Sequence, residues 1–96
     1  MSIVILGGHQ RMERQYKELC EEYKCDAKIF TRADGGLKRK MGKPDLLIFF
    51  TSTMSHKMVR GAEREVKGSS TQIEYVTTSS ASALRNVLKK HVCQEA

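Results

Sequence analysis

The sequence predicts an α/β fold, a three-layer sandwich around a four-stranded parallel sheet in the order 2-1-3-4. Three observations predict it. Short apolar runs alternate with segments of helical period, which is the spacing of βαβ units. Two of those runs, Ile3 to Leu6 and Leu46 to Phe50, are apolar throughout, as strands covered on both faces are, and so belong side by side in the centre. Parallel neighbours also need a crossover, and the intervening segments are long enough to supply one.

Ile3-Val4-Ile5-Leu6 is the first strand, stopped by Gly7-Gly8. From Gln10 the period changes: Met12, Tyr16, Leu19, Cys20 and Tyr23 recur at three- and four-residue intervals, predicting an amphipathic helix of about three turns. Ala27 to Phe30 is a strand of mixed polarity suited to a sheet edge. Arg32 to Gly36 reads as a turn, and Leu37 and Met41 as the apolar face of a short helix that must end before Pro44. After the strand Leu46 to Phe50, Ser55 or Thr53 can cap a helix carrying Met58, Val59, Ala62 and Val66 inward, broken by Gly68-Ser69-Ser70. Ile73 to Val76 is the fourth strand, Thr77 to Ser80 a loop, and Ala81 to Val92 a last helix with Leu84, Val87, Leu88 and Val92 inward; Cys93 to Ala96 should fray. Such a doubly wound order is Rossmann-like or flavodoxin-like.

With 96 residues, 40% of them hydrophobic, the chain has apolar material for one core, so residues 1–96 are expected to form a single domain. Charged residues at 29%, seven glycines and one proline exclude collagen-like and disordered classes. No apolar run approaches a membrane span, and MSIVILGG lacks the marks of a secretory signal, so a cytoplasmic protein with no membrane partner is expected. The formal charge of +6 favours anionic partners. Nucleic acid is among them, but no reading module accompanies the charge. The cations are scattered except at Lys38-Arg39-Lys40 with Lys43 and at Lys89-Lys90, as on solvated helix faces. Cys20, Cys25 and Cys93 match neither zinc-site nor CxxC spacing and read as buried or free thiols. An exposed flank on so small a sheet would also suit a homodimer.

Open α/β sheets bind ligands beyond the carboxyl ends of their strands, where the winding reverses, here between the first and third strands. The sequence places Gly7, Gly8, His9 and Arg11 there, with Thr51, Ser52, Thr53, Ser55, His56 and Lys57 after the third strand and Thr78 and Ser79 after the fourth. Helix N-termini, hydroxyls and cations converging on one crevice favour an anionic or nucleotide-like ligand. The glycines do not make a dinucleotide fingerprint, because His9 and Met12 stand where further glycines would be needed, and Thr31-Arg32 rather than an acid closes the second strand. His9 and His56 are the residues singled out for ligand binding or catalysis; His91 reads as surface. No carboxylate stands in the three crevice loops to activate a histidine, which weighs against hydrolytic catalysis, and no metal ligand set is apparent.

The opening strand with Gly7-Gly8-His9, the PDLLIFFT strand at Pro44 to Thr51, Ser55-His56-Lys57 with Arg60, and the terminal TTSS-x-SALRNVL segment together resemble a bacterial family of small proteins known only as a domain of unknown function. The resemblance covers nearly the whole chain and implies a Rossmann-like domain. It also implies that haem is a cofactor for some members, with His9 or His56 as the candidate axial ligand. Three functions follow as expectations: a binding or regulatory domain for an anion, a haem- or metal-dependent protein using the two histidines, and a phosphocarrier through His9.

Overall fold

The apolar run from Ile3 forms β1 (Ser2–Gly7), and the equally apolar run at Leu46 forms β3 (Leu46–Phe50), with β2 (Asp26–Phe30) and β4 (Gln72–Val76) outside them. All pairings are parallel and the order is β2-β1-β3-β4, as the sequence predicts. Ile3, Ile5 and Leu6 stand opposite Leu46, Ile48 and Phe49. The computed structural model describes residues 1–31 and 42–92. The expected turn at Arg32 to Gly36, short helix at Leu37 to Met41 and frayed end from Cys93 lie outside them.

Strand alternation divides the core in two. Ile3, Ile5, Leu46, Ile48 and Phe50 point to the face covered by α1 (Glu13–Glu22) and α3 (Ala81–His91), where Tyr16, Leu19, Cys20, Leu84 and Leu88 meet them. Val4, Leu6, Leu47 and Phe49 point to the other face, under Ala62 and Val66 of α2 (His56–Val66). Both central strands are buried from either side, so their sequence cannot alternate.

The first helix differs from its sequence reading in one respect. Gln10–Met12 is a 3-10 turn, and the α-helix begins only at Glu13. The chain leaves β1 through Gly7 and Gly8 at φ of +88° and +87°, and Met12, the last residue of the 3-10 turn, caps α1 with φ −100° and ψ 0°. At its other end α1 closes with Lys24 at φ +58°, the Lys24 amide donating to Glu21 O (2.9 Å) and the Cys25 amide to Cys20 O (2.9 Å). Of the two suggested caps for α2, Ser55 is the one used: its Oγ accepts from the Met58 amide at 3.2 Å. Ser80 caps α3 in the same way, through the Ala83 amide.

Candidate functional site

Gly7 and Gly8 bend the chain directly over the end of β3. A Cβ on Gly7 would stand 2.8 Å from Thr53 Oγ1 and 2.9 Å from Phe50 O; one on Gly8 would stand 2.9 Å from the Tyr16 ring. Both positions also have positive φ, so glycine is required twice over. The approach is held by a hydrogen bond: the Gly8 amide donates to Thr53 Oγ1 (2.6 Å), whose hydroxyl donates to Phe50 O (2.9 Å). Phe50 is itself followed by a second 3-10 turn, Thr51–Thr53, which carries that hydroxyl. The loops after β1 and β3 are thus fastened together. A third loop joins them through Tyr16, fully buried in α1, whose phenol donates to Ser79 O at 2.6 Å.

These bonds sort the sequence-predicted residues. Gly7, Gly8, Thr53 and Ser79 sit in the framework of the edge: the Gly8 amide and Thr53 hydroxyl satisfy each other, and Ser79 is buried. Ser55 has its Oγ on the Met58 amide, and Thr51 is half-buried. His9, Arg11, Ser52, His56, Lys57 and Thr78 are exposed. His9 leads toward α1 on one face of the sheet and His56 opens α2 on the other, so what relates them is the shared carboxyl edge and the Gly8–Thr53 bond between their loops. Neither Arg11 nor Lys57 has an ion-pair partner among the described residues, and the loops 8–12, 51–57 and 77–80 contain no acid. The nearest carboxylate along α1, Glu13, accepts from the Thr31 hydroxyl at 2.5 Å.

The described residues of this edge do not fit a haem. Its porphyrin needs an apolar slot beside the axial histidine. The aromatic residues closest to the Gly8 turn, Tyr16 and Phe50, are fully buried and packed on each other at 5.2 Å between ring centres, while both histidines stand among polar, exposed neighbours. Nor do His, Cys, Asp and Glu side chains gather in threes as a metal set among the described residues.

Away from this edge, His91 is not the surface residue its position suggests. Its side chain is 14% exposed, with Nδ1 2.8 Å from Gln72 Oε1 and Nε2 2.5 Å from Glu74 Oε2. Helical spacing places it on the outer side, but the last turn of α3 leans on the start of β4. Lys90 Nζ also reaches Glu74 at 3.0 Å, and the hydrogen bond from His91, aided by Lys90, lowers the Glu74 pKa. Cys20 and Cys25 are buried free thiols; burial, then the nearness of Cys25 and Glu21, pushes Cys20 up to about 12, which makes it a poor nucleophile. Two open grooves flank the sheet, one of about 690 Å³ between α1 and β2 and one of about 480 Å³ between α2 and β4, and neither is lined by His9 or His56.

No helix among the described residues is long and apolar enough to cross a membrane. No curated protein and no solved structure matches the chain. A family model described as an uncharacterized protein conserved in bacteria matches residues 2–91, nearly the whole length, and the chain belongs to that family, DUF2325.

Proposed function

We propose that this is a binding domain whose carboxyl edge takes a small anionic ligand, of the phosphate-bearing class, without chemistry of its own. One observation carries the reading: the Gly8–Thr53 bond holds the loops after the two central strands together, so His9, Arg11, His56 and Lys57 stand on loops that carry no acid, and neither Arg11 nor Lys57 has an ion-pair partner among the described residues. Ser55 takes up the Met58 amide, and the first amides of α2, on His56 and Lys57, have no partner among the described residues. Such amides carry the positive end of the helix dipole toward an anion. The absence of a carboxylate beside either histidine in these loops leaves no general base in the usual histidine–carboxylate arrangement, which favours binding over hydrolysis.

The experiment is calorimetric titration with inorganic phosphate and with adenosine monophosphate. Saturable binding of one equivalent is expected, weakened about tenfold when Arg11 and Lys57 are both replaced by glutamine. Binding that never saturates, or that survives the double replacement unchanged, would overturn the reading.

A further inference from the structure

β4 ends the sheet on one side, and no strand among the described residues pairs with its outer edge. The Gln72 amide donates to Asp45 O across to the β3 side (3.0 Å). Both backbone groups of a residue in a parallel strand point the same way, and the direction alternates, so Gln72, Glu74 and Val76 face β3 while Ile73 and Tyr75 turn their amides and carbonyls outward. The strand has no proline and no lysine, and its one charge, Glu74, is turned to the α3 face and held there by His91 and Lys90. The opposite edge, β2, has Lys28 in its middle.

The surroundings of that edge are basic. On the α2 face, Ile73 and Tyr75 form the floor of the groove of about 480 Å³, and Arg60, Arg64 and Lys67 line its wall. These three cations have no ion-pair partner among the described residues. They recur at the spacing of one helix stripe, spread over ~10 Å of axis. The local acids are engaged: Glu63 accepts from the Tyr75 hydroxyl, and Glu74, on the other face, holds His91 and Lys90. Tyr75 remains 53% exposed although its ring packs on Phe49.

The geometry points to β4 as a docking edge for an extended acidic peptide segment of a partner protein, which adds a fifth strand. Its backbone pairs with Ile73 and Tyr75. Alternate side chains of a strand lie ~6.7 Å apart on one face, so acids two residues apart run alongside Arg60, Arg64 and Lys67, and an apolar residue nearby covers Tyr75. A second copy of this chain is the poorer occupant. Antiparallel pairing of β4 with β4 sets α2 beside α2 on the same face, and brings the unpaired cations of one copy toward those of the other.

The test is amide hydrogen exchange by NMR on the whole chain, with a short capped peptide alternating glutamate and valine, and a control alternating lysine and valine. The glutamate peptide is expected to slow exchange at Ile73 and Tyr75 about tenfold, and the lysine peptide to leave both unchanged. Replacing exposed Arg64 and Lys67 by glutamate should reverse that preference. The proposal is overturned if neither peptide protects these amides, if both protect them equally, or if they are already protected without peptide in a particle with the mass of two chains.

Discussion

The same replacement, glycine to alanine, should have opposite signs at two positions of this fold. At Gly8 the backbone sits at φ +87°, and an added Cβ would meet Tyr16 at 2.9 Å and Phe50 Cδ2 at 3.0 Å. The left-handed backbone costs about 1–2 kcal/mol for a residue with a Cβ. Overpacking adds about 1–3 kcal/mol, because Tyr16 and Phe50 are fully buried rings with nowhere to move. Gly8→Ala should therefore lose about 2–5 kcal/mol, much of the stability of so small a chain. Gly61 stands in the middle of α2 with nothing within 4 Å of its would-be Cβ, so Gly61→Ala should gain up to about 1 kcal/mol from helix propensity. Urea unfolding followed by circular dichroism measures both. A loss under about 1 kcal/mol at Gly8, or any loss of that size at Gly61, would refute the reasoning about where this chain needs glycine.

Tyr16→Phe should destabilise by about 1–3 kcal/mol by leaving Ser79 O without its buried donor, and a change within about 0.3 kcal/mol would mean that this bond contributes nothing net. The Glu74 cluster gives a pH dependence with a definite sign. His91 and then Lys90 hold the Glu74 carboxyl below its ordinary pKa of 4.5, so its contribution is fully present above that value and is lost as the pH falls through the lower, folded one. Glu74→Gln should thus lower the urea midpoint at neutral pH, and the gap from the unaltered protein should close in acid; a gap that widens in acid would contradict the assignment.

Much of the fold is legible in residue order because β3, and β1 from Ile3 to Leu6, are apolar without alternation, as strands covered on both faces are. Their adjacency and the order of the sheet follow. The candidate site is legible as a set of loops, since strand ends and caps are local features. What fastens those loops is not. Thr53 reaches Gly8 across 45 residues and Tyr16 reaches Ser79 across 63, and periodicity reports which face a side chain occupies, never its partner on a distant segment. Tyr16 reads as one more residue of an apolar stripe, though its hydroxyl ties α1 to the loop before α3. His91 shows the same limit: helical spacing puts it outside, while Gln72 and Glu74, fixed by the register of β4, enclose it. The 3-10 turn at Gln10 is likewise hidden, because Met12 and Tyr16 keep the four-residue spacing of a continuous helix although the backbone breaks at Met12.

The shared anion edge is tested most directly by following the imidazole resonances of His9, His56 and His91 by NMR at fixed pH and ionic strength as phosphate replaces chloride. His91, held by Gln72 and Glu74 at the opposite end of β4, serves as the internal reference. The expected result is a saturable shift of His9 and His56 with one common affinity, while His91 stays in place. Shifts of all three in parallel, or of neither crevice histidine, would contradict an anion held between the loops after β1 and β3.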